Sequence, residues 1–467
     1  MSPQQQKTLS LFDEADFEKD RVNPESERGG LRGIPAQTEE TIHEPLLEDL
    51  LERVVASQNM RAALKRVEQN KGAAGSDGMM VKELRALLLS QWPSLKAALL
   101  LGTYRPQPVK RVEIPKPTGG TRALGIPNVL DRLIQQALLQ VLTPLFDPYF
   151  SPHSYGFRPG KRGHDAVRQA QEYVREGYVF VVDLDLEKFF DRVNHDKLMA
   201  RVAQKVSDKR VLRLMRQFLE SGVLIDGLVS ATQEGTPQGG PLSPLLSNIV
   251  LDDLDKELEC RGHKFVRYAD DCNIYVRSRR AGERVKASVT AFVLERLCLR
   301  VNEAKSAVDR PWKRKFLGFT LYQVDKRIRL AEASLARVKE KIRSLTQRSA
   351  SVSMSERIRQ LNQYLGGWMG YFALSEVPSP FSDLDEWLRS RLRMCQWKAW
   401  KRTRTRVRHL RALGLKESDV WGAAGSRKSY WRTAGSAPLK KALSNAYWQA
   451  QGLMALADRY QVVRKAW

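Results

Sequence analysis

The sequence is poor in cysteine and in long apolar runs. Its four cysteines, at positions 260, 272, 298 and 395, form no Cys-x-x-Cys pair and have no pair of histidines nearby. This spacing excludes a zinc finger and a disulfide framework, and it is typical of reduced cytosolic thiols. No stretch approaches the roughly 20 apolar residues that span a membrane, and the first residues lack the apolar core of a signal peptide. We therefore expect a cytoplasmic protein.

Negative charge is also scarce. The chain has 53 Asp and Glu residues against 78 Lys and Arg residues, which gives a net charge of +25. The first 50 residues hold 12 acidic and 5 basic side chains, so the excess lies in the remainder. Solubility alone requires a net charge of only about 2–8 per small domain. The surplus therefore indicates a polyanionic partner, and nucleic acid is the favoured interpretation.

Composition divides the chain along its length. Its 467 residues suit about three domains, and a hydrophobic content of 42% suits globular folding. Residues 1–46 mix Gln, Glu, Asp, Pro and Gly with few apolar side chains, which predicts an acidic, mobile tail. Beyond about residue 330 the sequence favours helices rich in Arg, Lys and Trp, at 334–347, 354–372 and 383–412.

The part between these regions mixes helical and strand patterns. An apolar stripe at helical spacing runs from Val129 to Phe146 and predicts a packed helix. Residues 178–186 are β-branched and aromatic, which predicts a buried strand, and residues 316–319 open a short strand pair. Further helices are predicted at about 195–221, 241–258 and 281–298. The mixture indicates an α+β fold.

The most informative segment is Tyr268-Ala269-Asp270-Asp271, which places two adjacent carboxylates between apolar flanks. Two β-prone runs around a polar pair predict a hairpin with the aspartates at its tip. Adjacent carboxylates repel each other unless a cation lies between them. A hard divalent ion such as Mg²⁺ suits these oxygen ligands and acts on phosphates. An Asp pair in a solvated turn is ordinary, so these four residues alone leave that alternative open.

Asp185 follows the core of the buried strand predicted over residues 178–186. If that strand pairs beside the hairpin, Asp185 joins Asp270 and Asp271, and three carboxylates converge. Such a set suits two-metal phosphoryl or nucleotidyl transfer. The alternative role, a cap on the following helix, fits Asp191 or Asn194 better.

Residues 236–244, Thr-Pro-Gln-Gly-Gly-Pro-Leu-Ser-Pro, form a loop with a Gly pair between prolines. Its bare, stiff backbone permits close approach by another chain. A tight turn would explain the Pro and Gly residues but leaves Gln238 without a role. A helix is predicted to follow directly, and a helix N-terminus is a natural place for a phosphate or a template backbone.

A two-stranded finger is predicted around residues 112–124, closed by Gly119-Gly120 and carrying Lys116 and Arg122. Two cations on one hairpin are usually solvated surface residues. Their position ahead of the carboxylates favours binding of a triphosphate instead.

In this order, the four segments resemble the fingers and palm of a reverse transcriptase. The resemblance is specifically to bacterial group II intron-encoded reverse transcriptase/maturases of the endonuclease-lacking, group IIC-like kind, and it runs from about residue 47 to the C-terminus. The motifs that carry it are Gly75-Ser76-Asp77-Gly78, Ile114-Pro115-Lys116-Pro117, Tyr155-Gly156-Phe157-Arg158-Pro159, Asp185-Leu186-Glu187-Lys188-Phe189-Phe190-Asp191, Pro237-Gln238-Gly239-Gly240, Tyr268-Ala269-Asp270-Asp271, Val301-Asn302-Glu303-Ala304-Lys305 and Phe316-Leu317-Gly318-Phe319. Each is moderately common, whereas the ordered set is highly specific.

The resemblance implies a catalytic metal site. Asp185, Asp270 and Asp271 would be the catalytic, metal-binding carboxylates. The Leu186 carbonyl would complete a site for two Mg²⁺ ions.

It also implies residues that bind the incoming nucleotide. Lys116 and Arg122 would hold the triphosphate, and Gln238 would lie near the nucleotide and template. Phe190 would lie under the sugar as a steric gate against a 2′-hydroxyl. Residues 316–319 would correspond to the primer grip.

The implied fold is an α+β right-hand polymerase. Residues 47–330 would form the fingers and palm, with an antiparallel sheet plus helices. Residues 331–395 would form an α-helical thumb, or maturase domain, and residues 396–467 a small basic DNA-binding region.

The implied activity is that of an RNA-directed DNA polymerase that copies intron RNA into cDNA and assists splicing and mobility. Its partners would be group II intron RNA, an RNA template/DNA primer duplex, target DNA and deoxynucleoside triphosphates, in the nucleoid-associated bacterial cytoplasm without a membrane. One alternative is a splicing maturase that binds RNA and makes no use of polymerisation. Another is a domesticated or defence-related reverse transcriptase.

From Arg389 to Arg411, basic residues alternate with aromatic ones. Charge runs are usually solvated faces, and the Trp residues within this run either stack on bases or pack helices. The polyanion argument favours contact with RNA. The candidate nucleic-acid-binding residues are Arg391, Arg393, Lys398, Lys401, Arg402, Arg404 and Arg406.

Overall fold

The computed structural model describes Phe12 and residues 49–115, 120–225, 228–230, 234–236 and 239–465. The chain divides into two compact units. The first consists of the residues up to Ala166 together with Val181–Val308, and the second consists of Val167–Phe180 and Asp309–Trp467. The predicted mobile tail lies outside the described residues except for Phe12. That side chain is 4% exposed and packs edge-on against Trp92, with ring centroids 5.0 Å apart.

The first unit contains the helices of the N-terminal and central parts of the chain. They are α1 (Leu50–Val55), α2 (Ser57–Asn70), α3 (Leu84–Leu100), α4 (Val129–Phe146), α5 (Gly163–Arg175), α6 (His195–Ala203), α7 (Lys209–Glu220), α8 (Ser243–Cys260) and α9 (Arg279–Leu297). The sequence of α5 runs from the first unit into the second. The predicted helix over the apolar stripe is confirmed as α4, which buries Leu133, Leu138 and Leu142 completely.

Two four-stranded sheets accompany these helices. Their strands are β1 (Val109–Pro115), β2 (Thr121–Ile126), β3 (Phe180–Leu184), β4 (Val223–Ile225), β5 (Leu228–Ser230), β6 (Lys264–Tyr268), β7 (Asp271–Val276) and β8 (Ala307–Asp309). One sheet has the order β2-β1-β4-β5 and the other β6-β7-β3-β8. The β1–β2 finger is antiparallel as predicted, whereas β1 and β4 pair in parallel.

The second unit is mainly helical. It contains β9 (Phe319–Leu321), β10 (Ile328–Leu330), α10 (Glu332–Leu345), α11 (Met354–Phe372), α12 (Ser379–Ala399), α13 (Thr403–Ala412), α14 (Glu417–Ala424), α15 (Tyr430–Ala434), α16 (Ala437–Ala442), α17 (Asn445–Ala450) and α18 (Leu456–Lys465). Strands β9 and β10 form the antiparallel pair that the sequence predicted near residue 316. None of the helices in the described ranges combines the length and apolar character needed to cross a bilayer.

Two long predicted helices are each divided in the structure. The prediction over 195–221 is wrong because α6 ends at Ala203, and the Asp208 carboxylate then caps α7 by accepting from the Arg210 amide at 2.9 Å. Aspartate is a strongly preferred N-cap residue. The prediction over 383–412 is wrong because the chain turns at Trp400, whose ring stacks on His409 at 4.8 Å.

The predicted division between residues 395 and 396 falls inside α12. This helix packs along its length against α15 and α18. The last change from the first unit to the second falls between Val308 and Asp309, ahead of the predicted division at residue 330.

Candidate active site

The segments that carry the three aspartates lie on neighbouring strands. Strand β7 lies between β6 and β3. Ala269 and Asp270 form the two-residue turn between β6 and β7, and Asp271 is the first residue of β7. Asp185 directly follows β3. The predicted hairpin is therefore confirmed, and its pairing beside the Asp185 strand holds as well.

Asp185, Asp270 and Asp271 line one cavity of about 710 Å³. The rest of its lining comes from the β1–β2 finger, the turn after β3 and the segment that follows α9: Arg111, Glu113, Thr121, Ala123, Leu186, Glu187, Lys188, Phe189, Phe190, Asp191, Asn302 and Lys305. The fold thus gathers carboxylates that are far apart in sequence around a space large enough for a nucleotide.

The backbone around Asp185 is fixed by the segment after α9. The Asn302 amide donates to the Asp185 carbonyl at 2.8 Å, and the Asp185 amide donates to the Ser306 hydroxyl at 2.9 Å. The Glu187 amide donates to the Arg300 carbonyl at 2.8 Å. The Val301–Lys305 motif, through Asn302, and its flanking residues Arg300 and Ser306 therefore position the backbone of residues 185–187.

The hairpin turn is held by a buried arginine. Arg267 is 0% exposed, and its Nε and Nη2 donate to the two oxygens of Asp255 at 2.7 and 2.5 Å. Its Nη1 donates to Asn248 Oδ1 at 3.0 Å and to the Ala269 carbonyl at 2.9 Å, and Nη2 donates to Ser154 Oγ at 2.8 Å. Although burial alone would lower it, the carboxylate of Asp255 keeps the pKa of Arg267 above its ordinary value.

Sequence reasoning missed both Arg267 and Asp255. A signal was present, because Arg267 is a cation inside the apolar β-prone run Phe265-Val266-Arg267-Tyr268. A charged residue in such a run is expected to be paired when buried. The missing information was the partner, which α8 supplies.

Gly156, from the Tyr155–Pro159 motif, lies directly against the turn. A Cβ atom at this position would lie 2.3 Å from the Ala269 amide nitrogen, a distance that no side chain tolerates. The Asn248 side-chain amide donates to the Gly156 carbonyl at 2.9 Å. Glycine is therefore required here because two backbone segments approach each other closely.

The donor set suits a hard divalent cation. Carboxylate oxygens and the backbone carbonyl of Leu186, which lines the same cavity, are the oxygen ligands such ions prefer. Among the described residues, no three His, Cys, Asp or Glu side chains form a ready-made metal site. Mg²⁺ is usually held by one or two carboxylates, with substrate phosphates and water completing its shell, so these residues fit the ion.

Of the residues predicted to bind the nucleotide, the structure describes Phe190 and the backbone of Arg122. Phe190 lines the carboxylate cavity and a neighbouring one of about 250 Å³. Arg122 belongs to β2, where it pairs with Ile114, and the structure describes only its backbone. Lys116 and Gln238 lie outside the described residues.

Arg111 is a cavity residue that sequence reasoning missed. It lies on β1 two residues before Glu113, and both line the carboxylate cavity, with Arg111 Nη2 3.6 Å from Glu113 Oε1. Strand alternation gave no signal for it, because neither Glu113 nor another residue of that strand face had been predicted to line the site.

The basic run in the second unit contains both buried and exposed cations, and the prediction for Arg393 needs correction. Arg393 is 4% exposed, donates to the Leu443 carbonyl at 3.1 Å, and has its pKa lowered by burial. Arg391 is half-buried and donates to Thr346 Oγ1 at 2.9 Å. Both guanidiniums bond within the helical unit, and Arg393 presents no surface that a nucleic acid can reach.

The remaining basic candidates are more accessible. Lys398, Lys401, Arg402 and Arg404 are exposed, whereas the half-buried Arg406 donates to the Trp400 carbonyl at 2.9 Å. The tryptophans of this run, Trp397 and Trp400, are 1% and 5% exposed. They therefore pack helices, which was the second of the two predicted alternatives.

Comparison with protein families finds two matches. Residues 114–321 match the family model "Reverse transcriptase (RNA-dependent DNA polymerase)". Residues 335–414 match "Group II intron, maturase-specific domain", a span that crosses the predicted division at residue 395. All three aspartates lie within the first match.

Curated relatives match part of the chain. The Escherichia coli K12 protein YkfC is 37% identical over 221 residues, 46% of this chain and 58% of that protein. The group II intron-encoded protein LtrA of Lactococcus lactis subsp. cremoris is 35% identical over 202 residues, 42% of this chain and 32% of that protein. The chain therefore spans less than two thirds of the length of either relative.

A solved structure described as a partial Cas6-RT-Cas1–Cas2 complex is 28% identical, with a TM-score of 0.35, and covers 53% of this chain and 42% of that chain. The reverse transcriptase match agrees with the observed fold of helices and largely antiparallel sheets. The chain therefore combines, in sequence, a region that matches reverse transcriptases with a region that matches the group II intron maturase-specific domain.

Proposed function

We propose that this protein is an RNA-directed DNA polymerase encoded by a group II intron, which copies intron RNA into cDNA. The observation that carries the proposal is the convergence of Asp185, Asp270 and Asp271 on one cavity within the reverse transcriptase match. A protein that only bound RNA would have no physical use for three crowded carboxylates. The substrates are deoxynucleoside triphosphates and a DNA primer paired to an RNA template.

Asp185, Asp270 and Asp271, with the Leu186 carbonyl, are the proposed ligands of two Mg²⁺ ions. When bound, the ions supply activation of the primer 3′-hydroxyl and neutralisation of charge on the triphosphate. The chain's own contribution is to hold these oxygens at the ends of two neighbouring strands, where the hydrogen bonds to Asn302 and Ser306 fix the Asp185 backbone.

The nucleotide roles follow the family resemblance. Phe190 lies at the cavity wall and discriminates against a 2′-hydroxyl by occupying the space that it needs. Lys116 and Arg122 bind the triphosphate on the finger, and Gln238 lies near the nucleotide and template. The Thr236 amide donates to the Phe190 carbonyl at 2.6 Å, which supports a role for the residues that follow Thr236 beside the nucleotide.

Primer extension on an RNA template with Mg²⁺ tests this proposal. We expect the wild-type protein to extend the primer, and Asp270→Asn and Asp185→Asn to abolish extension with RNA affinity within about two-fold of wild type, because one charge matters little to a surface of net charge +25. The matched control is Asp196→Asn, in which the aspartate side chain is 77% exposed on α6 and lies outside the cavity lining. Extension at the wild-type rate by Asp270→Asn would refute the catalytic assignment.

A second function, assistance in splicing and mobility of the parent intron, is supported by the match of residues 335–414 to the maturase-specific domain. The partners are then group II intron RNA and target DNA, in the nucleoid-associated bacterial cytoplasm. Splicing needs recognition of RNA shape and phosphates and no nucleotide addition. In a splicing assay with the intron RNA that flanks the gene, Asp270→Asn should therefore act like wild type, and a loss of splicing would contradict the separation.

A further inference from the structure

Arg267 makes more hydrogen bonds than a charge pair requires. All five guanidinium N–H groups are used, and the acceptors belong to α8, the strand β6–β7 turn and the segment before Gly156. The side chain is 0% exposed, so it touches neither substrate nor solvent. Its effect on the cavity can act only through the groups that it holds.

The charge pair by itself adds little net stability to the fold. Arg267 and Asp255 both have side chains that are 0% exposed, and desolvating two charges costs as much as their attraction returns. Well-packed apolar residues of similar volume are often equally or more stable at such sites. The informative bond is therefore the one to the Ala269 carbonyl, because Ala269 precedes Asp270 in the turn.

The turn has a conformation that its sequence does not favour. Ala269 has φ +57°, and Asp270 is not among the described residues with positive φ. Residues other than Gly, Asn and Asp enter this region at a cost of about 1–2 kcal/mol. Two-residue hairpin turns usually place glycine or asparagine there, so the surrounding contacts must hold Ala269 in place.

Those contacts come from both sides of the turn. On one side, Arg267 Nη1 donates to the Ala269 carbonyl at 2.9 Å. On the other, the Gly156 backbone lies against the Ala269 amide nitrogen, where even a Cβ atom would be too close. Asn248 joins the two sides, because it accepts from Arg267 and donates to the Gly156 carbonyl.

We propose that Arg267 is a positioning residue, which holds the Ala269 carbonyl and so fixes the direction of the Asp270 carboxylate relative to Asp185. Asp255 balances the charge of Arg267, and the Gly156 backbone packs against the other side of the turn. This role rests on the proposed metal-dependent polymerase function of the three aspartates.

The first test is the double variant Arg267→Met/Asp255→Leu, which removes both charges together and leaves neither one alone in the core. Its melting temperature should stay within a few degrees of that of wild type, because removing two desolvated charges offsets the bonds that Asn248, Ser154 and Ala269 lose. Its affinity for Mn²⁺, measured by electron paramagnetic resonance without nucleic acid, should fall about 10-fold, as is typical when an outer-shell partner of a metal site is lost. The kcat of primer extension should fall about 10- to 100-fold, with KM for the nucleotide within about two-fold.

Two further single variants disturb the turn differently. Gly156→Ala leaves the ion pair intact and pushes on the Ala269 amide, and it should weaken Mn²⁺ binding and lower kcat in the same way. Arg267→Lys keeps the charge beside Asp255 but cannot reproduce the fork that also reaches Ala269, so it should not rescue kcat. The matched control is Leu258→Ala, in the buried core of the same unit, which should lower the melting temperature without changing Mn²⁺ affinity.

The outcomes separate this proposal from the proposed function. A folded double variant with wild-type Mn²⁺ affinity and kcat overturns the positioning role. If the double variant does not fold, wild-type behaviour of Gly156→Ala overturns it instead. A wild-type protein that extends no primer refutes the polymerase function, and the Mn²⁺ difference between wild type and variants still decides the role of Arg267. A wild-type protein that neither binds Mn²⁺ nor extends a primer overturns both.

Discussion

The ammonium group of Lys305 lies 3.3 Å from Oδ2 of Asp185. Lys305 closes the Val301–Lys305 motif, the segment whose backbone also fixes Asp185 through Asn302. Both side chains are accessible, at 65% and 31% exposure, so the pair contributes little to stability. The consequence of this pair is electrostatic, because the positive charge of Lys305 already lies beside a carboxylate that would attract a metal ion.

Lys305→Met should therefore increase the affinity of the nucleotide-free protein for Mn²⁺, by roughly 3- to 10-fold, because a like charge no longer competes for Asp185. The measurement is a Mn²⁺ titration followed by electron paramagnetic resonance at low ionic strength. Lys256→Met is the matched control, since it removes a lysine paired with Asp252 on α8, away from the cavity. Equal Mn²⁺ affinities for Lys305→Met and wild type would show that the lysine does not compete with the metal.

Phe190→Ala should admit ribonucleotides. Replacing the ring at the cavity wall by a methyl group opens room for a 2′-hydroxyl, so discrimination against ribonucleotides should fall by about 10-fold or more. The measurement is kcat/KM for the two nucleotide types side by side. Phe218→Leu is the control, because Phe218 is 4% exposed and lies outside the cavity lining; it should cost stability and leave selectivity unchanged. Unaltered selectivity in Phe190→Ala would make Phe190 a packing residue.

The sequence was sufficient for the parts of the site that local pattern encodes. Alternating and β-branched residues located β3, β6 and β7, and a polar pair between apolar runs located the turn that bears Asp270. The break between two helices within residues 195–221 was harder to predict. Asp208, the N-cap residue of the second helix, is also held by a distant segment, because it accepts from the Leu51 amide at 3.0 Å. A contact across 157 positions in sequence leaves no periodic signal.

The burial of charged side chains was also hard to predict from the sequence. Arg267 and Arg393 read as surface cations in a basic chain, yet each is buried because a specific acceptor from another element satisfies it. Hydropathy assigns such residues to solvent. The apolar run around Arg267 was a signal of burial, but only the packed structure supplies the acceptors that distinguish both arginines from exposed ones such as Arg402 and Arg404.

A pH-dependent contribution to stability should come from Asp131 on α4. The Asp131 side chain is buried, accepts from the Tyr104 hydroxyl at 2.7 Å, and has its pKa raised by burial to about 6. Because the folded state disfavours the ionised form, this contribution is present below the unfolded-state pKa near 4 and is lost as pH rises through 6. The loss amounts to about 3 kcal/mol of unfolding free energy.

The measurement is chemical denaturation of wild type and Asp131→Asn between pH 4 and pH 7. The free energy of unfolding of wild type minus that of the variant should fall by about 3 kcal/mol over this range, because asparagine does not titrate. Asp196→Asn, whose aspartate side chain is 77% exposed, should give a nearly constant difference. A constant difference for Asp131→Asn as well would mean that the buried carboxyl ionises without cost.

The last prediction concerns the exposed part of the basic run. Replacing Lys398, Lys401, Arg402 and Arg404 together with Ala should weaken binding to structured RNA and flatten its salt dependence. Each phosphate contact that is lost lowers the log–log salt slope by about 0.7–0.9 because fewer counterions are released, so four contacts correspond to a drop of roughly 3. The measurement is RNA affinity across a salt series, with circular dichroism to check folding.

The matched control is Arg393→Met, which removes a cation from the same helix α12 but from its buried side. Loss of the bond to the Leu443 carbonyl should lower the melting temperature, while the salt slope should stay within about 0.3 of wild type because no phosphate contact is removed. Primer extension by the fourfold variant on a saturating short duplex should persist, because the three aspartates belong to the first unit. If the fourfold variant keeps the wild-type slope, these cations form a solvated helix face and the polyanion binds elsewhere on the chain.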